Sequence, residues 1–123
     1  MKERKILVID DEEGIRDVLC DFLNRKGYQT TSAADAIEMI VQLNKELPDI
    51  IFLDIRLPKI DGSQLLKLIK QLNKEIIVIM MSAYATEEIA KSTLQWEAFD
   101  YIRKPFKFEQ VERILSAVEI TRF

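Results

Sequence analysis

Asp10, Asp11, Asp54, Ser82 and Lys104 are the residues of this 123-residue chain best placed to do chemistry together. Each stands at or just past the end of a short apolar run. Three carboxylates brought to one place repel and raise one another's pKa. A hard divalent cation relieves that repulsion, and magnesium, which prefers oxygen ligands and keeps several waters, suits a shallow acid-lined cleft. With the charge offset, an anionic phosphoryl donor can approach, and a carboxylate can attack it to give an aspartyl phosphate. Lys104 would neutralise one phosphoryl oxygen and Ser82 would donate a hydrogen bond to another. Singly, each residue has an ordinary explanation. Asp10-Asp11 could cap a helix, Asp54 could serve the turn before Pro58, Ser82 could be a loop hydroxyl and Lys104 a solvated cation. Their succession along one chain is what points to phosphoryl transfer.

The elements that must position them are legible as alternating patterns. Lys5–Ile9, Ile50–Leu53 and Ile76–Met81 are apolar runs rich in β-branched residues, as in central parallel strands covered on both faces. Tyr28–Ser32 alternates like a strand nearer an edge, and Phe99–Ile102 is a fifth strand. Helical stripes lie between them. Val18, Leu19, Phe22 and Leu23 form the first, stopped at Lys26-Gly27. Ala33, Ala36, Ile37, Ile40, Val41 and Leu47 form the second, ended by Pro48. Leu65, Leu66, Ile69 and Leu72 form the third. Ile89, Ala90, Thr93 and Leu94 form the fourth, with Thr86 as N-cap. Phe108, Val111, Ile114, Leu115 and Val118 form the fifth. Strict β-α alternation predicts an α/β fold with parallel strands and right-handed crossovers. Ligands of such sheets bind beyond the carboxyl ends of the strands, where the five residues fall.

Composition narrows the function. A formal charge of −3 gives no basic footprint for nucleic acid or an anionic membrane. No apolar run approaches the length that spans a bilayer. The lone Cys20 has no internal disulfide partner and suits a reducing cytoplasm; it reads as a small buried hydrophobe or a surface thiol. With no histidine, the chain has no Ser-His triad, histidine metal site or phosphohistidine of its own. The length allows one core, so residues 1–123 read as a single domain.

These residues also resemble a known family, the receiver domain of bacterial two-component response regulators. The resemblance rests on Ile6-Leu-Val-Ile-Asp-Asp-Glu12, Pro48-Asp-Ile-Ile-Phe-Leu-Asp54, Leu57-Pro58, Asp61-Gly62, Met81-Ser-Ala83 and Asp100-Tyr-Ile-Arg-Lys-Pro-Phe106. It runs from about Lys5 to about Val118. It looks most like receivers of enhancer-dependent transcription regulators and stand-alone phosphorelay intermediates. The family implies a doubly wound, flavodoxin-like five-stranded parallel sheet in the order 2-1-3-4-5 with five helices. It implies Asp54 as phosphoacceptor and Mg2+, or Mn2+ in its place, on Asp10, Asp11, Asp54 and the backbone carbonyl of Arg56. Ser82 would be the switch hydroxyl, Tyr101 the aromatic that turns inward with it, and Lys104 the partner of the phosphoryl oxygen. The Lys104-Pro105 bond would be cis. The donor would be a phosphohistidine on a histidine kinase or phosphotransfer protein, docking near Ile15, Val18, Pro105 and Phe106. The fourth helix, fifth strand and fifth helix would signal to a downstream protein, or to an output domain outside this chain. A cytoplasmic location follows, with no direct role for nucleic acid or membrane and no enzymatic activity beyond the chain's own phosphorylation and dephosphorylation.

Several positions depart from the family pattern. Ser82 replaces the commoner threonine and keeps the hydroxyl. Arg56 and Tyr84 are bulky residues flanking the path of hydrolytic water, which predicts a long-lived phosphoryl group. Trp96-Glu97 stands where Leu-Gly is frequent, so the fourth helix loses its favoured cap, and Trp96 is expected to be partly buried. Lys107 puts a cation near the start of the last helix, against the helix dipole. Three other readings compete. A receiver fold that signals without phosphate sits poorly with the intact acidic set, and magnesium affinity separates the two. A flavin binder would need a phosphate cradle where Asp10-Asp11 stands. A hydrolase would need a substrate-binding cap that this length does not hold.

Overall fold

The computed structural model describes residues 3–57, 60–83 and 95–123. The elements run β1 (Lys5–Ile9), α1 (Glu13–Arg25), β2 (Gln29–Ala33), α2 (Ala36–Lys45), β3 (Ile50–Asp54), β4 (Arg56–Leu57), β5 (Ile60–Asp61), α3 (Gly62–Leu72), β6 (Ile77–Ser82), β7 (Asp100–Arg103) and α4 (Phe108–Arg122). Five strands form one sheet in the order β2-β1-β3-β6-β7, and every neighbouring pair is parallel. This is the doubly wound order expected from the family, the sheet strands being counted 2-1-3-4-5. Strands β4 and β5 are a two-residue antiparallel ladder beside it, not foreseen in the sequence. Four helices lie among the described residues. The expected helix over Thr86–Leu94 falls outside them.

Alternation along the strands explains the continuous apolar runs. Ile6 and Val8 of β1, Phe52 of β3 and Ile79 of β6 pack on one side with Leu19 and Leu23 of α1 and Val111 and Leu115 of α4. Leu7 and Ile9, Leu53 and Val78 pack on the other with Met39 of α2 and Leu66 of α3. A strand covered on both faces has no polar face to show.

The helix stripes needed correction. In α2 the buried residues are Met39 and Leu43, whereas Ile37, Ile40, Val41 and Leu47 are exposed. Both sets have helical spacing, so periodicity could not choose between them. The Asp35 side chain accepts a hydrogen bond from the Glu38 N–H, and only two residues separate β2 from α2. Together these fix how the helix is rotated on the sheet. The same correction applies to Val18, exposed at 56%, and to Leu72. Phe108 is also exposed, but its ring stacks on Phe22 at 4.3 Å. Strands β2, β6 and β7 each begin and end one residue later than expected, and β3 runs one residue further, to Asp54.

Element ends follow the local chemistry. Gly27 takes φ +96° just past α1, as a left-handed helix stop requires. At α4 the Lys107 N–H donates to the Gln110 side chain at 2.9 Å, so Lys107 lies before the helix rather than in its first turn. Trp96 is partly buried against the α2–α3 core layer, with Lys67 Nζ 5.6 Å from its ring centre. Glu97 bears the cost of the missing glycine, with φ +66°. A side chain in the left-handed region costs about 1–2 kcal/mol. Glu97→Gly is therefore expected to stabilise the fold by about 1 kcal/mol and raise its melting temperature by about 4 °C. A melt followed by circular dichroism checks this, and an unchanged or lower midpoint would remove the strain argument.

Candidate functional site

The carboxyl ends of β1, β3, β6 and β7 meet at one edge of the sheet, and the five singled-out residues gather there. Asp10 follows β1 directly and is fully buried. Its backbone N–H donates to the Ala33 carbonyl at 3.1 Å, extending the β1–β2 ladder by one bond. Its Oδ1 accepts from the Glu12 N–H at 2.9 Å. Arg16, one turn into α1, donates from Nη1 to the Asp10 carbonyl at 2.7 Å. Asp54 closes β3, and its Oδ1 accepts from the Arg56 N–H at 3.0 Å. Ser82 closes β6 and is buried. Its carbonyl accepts from the Lys104 N–H at 2.7 Å. The Lys104-Pro105 bond is cis, as the resemblance implied.

Lys104 joins these residues. Its Nζ lies 2.6 Å from Asp10 Oδ2, 3.1 Å from Asp54 Oδ2 and 3.8 Å from Glu12 Oε1. Burial by itself pulls this ammonium's pKa down, but the Asp10 and Asp54 carboxylates outweigh it and hold it above the usual lysine value. Asp54 is shifted the other way for an acid. Burial raises its pKa, the Arg56 N–H and Lys104 pull it back, and the Asp10 charge pushes it up again, leaving it above the ordinary carboxylate value.

Asp10, Asp11 and Glu12 bring one carboxylate oxygen each within 4.8 Å of one another. Asp10 Oδ2 is buried, with the Lys104 ammonium as its ion-pair partner at 2.6 Å. An all-oxygen set of this kind fits a hard divalent cation. Glu12 and Arg16 were not among the singled-out residues. The acid beside Asp10-Asp11 was visible in the sequence, but its approach to Lys104 depends on how α1 leaves the strand.

The remaining expected positions divide. Ile15, Val18, Pro105 and Phe106 line one apolar groove of about 220 Å3, with Gly14, Lys104 and Phe108 completing it. Core packing, the alternative for Val18, is excluded by its exposure, and Phe106 is only partly buried against the core. Arg56 lies in β4 with its side chain exposed. Tyr101 pairs with Met80 across the β6–β7 ladder and lies half-buried against the α2–α3 core layer. Tyr84 lies outside the described residues.

Comparison with known proteins decides the family. Residues 6–116 match the family model described as the response regulator receiver domain. The chain belongs to the response regulator receiver family. It is 35% identical over 111 residues to sporulation initiation phosphotransferase F of Bacillus subtilis, covering 90% of both. It is 38% identical over 117 residues to the phosphate regulon transcriptional regulatory protein PhoB of Escherichia coli, but spans only 51% of that protein. A two-component response regulator from Clostridium difficile superposes with a TM-score of 0.91 at 27% identity, over 97% of this chain and 98% of that one. The receiver domain of NtrX from Brucella abortus gives 0.87 at 36% identity, over 94% and 98%. The receiver is thus a phosphorylation-accepting signalling domain of a two-component system. No helix among its described residues is long and apolar enough to cross a membrane.

Proposed function

We propose that this receiver, a single cytoplasmic domain over residues 1–123, takes a phosphoryl group onto Asp54 from a phosphohistidine of a histidine kinase or phosphotransfer protein. The observation that carries this is the Lys104 ammonium 3.1 Å from Asp54 Oδ2, at the strand edge where an incoming phosphate would meet both. An Asp54 carboxylate oxygen forms the new bond to phosphorus as the bond to the donor's imidazole nitrogen breaks. Asp10 and Asp11, with Asp54 and the Arg56 carbonyl, would hold Mg2+, or Mn2+ in its place. When bound, that ion offsets the negative charge of the phosphoryl oxygens. Lys104 supplies a second positive charge from the protein. Ser82, on the neighbouring strand end, is the hydroxyl that turns to the phosphoryl group, and Tyr101 follows it inward. The added charge shifts the population of conformers only through interactions that differ between them. Ser82, Lys104 and Tyr101 are those interactions, and the face built around β7 and α4 carries the change to a downstream protein or output domain. The groove of Ile15, Val18, Pro105 and Phe106 opens beside Lys104 and would seat the donor protein.

The direct test incubates the receiver with acetyl phosphate and Mg2+ and reads intact mass. One added phosphoryl group, lost when metal is chelated, is the expected result. No addition, either from acetyl phosphate or from a phosphorylated histidine partner, would overturn the reading. A receiver fold signalling without phosphate would then remain, but the Lys104–Asp54 pair argues against it.

Two further outcomes follow from the same site. Lys104→Met removes the ammonium that offsets Asp10 and Asp54, so calorimetry should show Mg2+ binding tightened by roughly tenfold, while phosphorylation slows. Equal affinity in the two proteins would show that Lys104 does not compete for these carboxylates. Arg56→Asn combined with Tyr84→Ala replaces the bulky residues that stand two positions after Asp54 and Ser82 in the sequence. The phosphoryl lifetime is expected to shorten by about an order of magnitude, since a well-placed water attack rests on free approach. A lifetime that barely moves would put the control of hydrolysis elsewhere.

A further inference from the structure

The solvent face of α2 carries an apolar stripe that the core does not use. Ile37 is 74% exposed, Ile40 47% and Val41 48%, and Leu47 just past the helix end is 45% exposed. Spacing of three and four residues aligns the helical members of this stripe, on the side away from buried Met39 and Leu43. Together they present on the order of 400 Å2 of apolar surface, within the range in which the largest patch of a monomer is often functional.

The charges beside the stripe suggest what covers it. Glu38 and Lys45 are both exposed. Seven residues apart on a helix of 3.6 residues per turn, they lie on the same flank, one near each end of α2. A two-fold axis across the stripe would set a second α2 antiparallel to the first. In such an isologous contact residue i meets j and j meets i. Glu38 of each copy then faces Lys45 of the other, giving two ion pairs along one edge, and the helix dipoles run in opposite directions. Glu46, the next charge along, is already paired with Lys5 of β1. Glu38 holds the Ala34 N–H with Oε1 at 3.1 Å, which leaves Oε2 to a partner.

We infer that this stripe is a self-association face, through which two copies of the receiver pair by antiparallel packing of α2. The area is small. Two such faces bury about 800–1,000 Å2 in total, at the low end for specific contacts, so the dimer is weak and reversible.

Sedimentation velocity on the unphosphorylated receiver, from about 5 to about 500 µM, tests this independently of the phosphorylation site. The wild type is expected to move from monomer to dimer across that range. Val41→Lys, at a half-exposed position on the stripe, should remain monomeric throughout. Glu38→Lys and Lys45→Glu should each weaken self-association by roughly tenfold, because each places two like-charge pairs at the edge. An equimolar mixture of these two variants restores both ion pairs and should dimerise like the wild type. Glu38→Gln keeps the acceptor for the Ala34 N–H and carries the charge test if Glu38→Lys melts early. A monomeric wild type at the highest concentration would overturn the proposal and leave the stripe to a different protein. A dimer that survives Val41→Lys would overturn it too, as would charge variants whose mixture fails to recover.

Discussion

Asp54→Ala is expected to abolish phosphoryl incorporation completely, while Asp11→Ala slows it and leaves the modification detectable. Three aspartates stand at this edge, yet they are not equivalent. Asp10 is fully buried and faces Lys104 as an ion pair at 2.6 Å. Asp11 is exposed and groups with Glu12 rather than with Lys104. Asp54 alone combines a position at the end of the central strand β3 with an aligned hydrogen bond from Lys104. Removing the nucleophile removes the reaction, whereas removing a ligand weakens one contribution to it. The fold should survive the change. Burial raises the Asp54 pKa, so the folded protein binds that proton more tightly than the unfolded chain does. The contribution of Asp54 to stability is therefore present at acid pH. It is lost as pH rises from 3.8 through the raised value. At neutral pH its ionisation does not favour the folded state, and Asp54→Asn is expected to melt at or above the wild-type temperature. Intact-mass measurements on Asp54→Ala and Asp11→Ala, and the melting temperature of Asp54→Asn, check the two claims. Persistent labelling of Asp54→Ala would move the acceptor elsewhere.

Gly62→Ala is expected to be among the most damaging single-methyl changes in the chain. A Cβ at Gly62 would fall 2.6 Å from Ile55 Cα, 2.8 Å from the Ile55 carbonyl oxygen and 3.1 Å from that of Asp54. All three are backbone atoms, so no side-chain rotation relieves the overlap. The contact is also bonded, because the Gly62 N–H donates to the Ile55 carbonyl at 2.9 Å. Inserting the methyl pushes α3 off the segment that follows Asp54. Overpacking of this kind costs about 3 kcal/mol, a fall in melting temperature of roughly 10 °C. Phosphorylation of the variant should slow as well, since the displaced backbone is that of Asp54 and Ile55. Gly14→Ala is the control. Nothing lies within 4 Å of its added Cβ, and alanine in a helix gains about 0.5–1 kcal/mol over glycine, so this variant should melt slightly higher. Equal midpoints for the two variants would mean that α3 yields to the methyl at little cost.

Much of the site is legible in the sequence alone, for a definite reason. An apolar strand covered on both faces announces itself by composition, and the polar residue that ends it is the one facing the ligand edge. Asp10, Asp54 and Ser82 each close such a strand, and Lys104 follows the fifth. Residue type and short-range spacing sufficed for these, and for the glycine stop after α1. The missing glycine at Trp96-Glu97 was equally visible, and its consequence is the positive φ of Glu97.

What the sequence could not determine was rotation and approach. Two sets of apolar residues on α2 share helical spacing, and only docking on the sheet selected Met39 and Leu43 over Ile37, Ile40 and Val41. Docking likewise turned Val18 out of the α1 stripe, into the groove with Ile15 and Phe106. The closeness of Gly62 to Ile55, the reach of Glu12 toward Lys104 and the clamp of Arg16 on Asp10 join segments whose separation is a tertiary fact. Periodicity is a property of one helix by itself. Which of its faces meets the sheet depends on the loop before it, its capping bond and the volume of the side chains opposite, and those act together only in the folded chain.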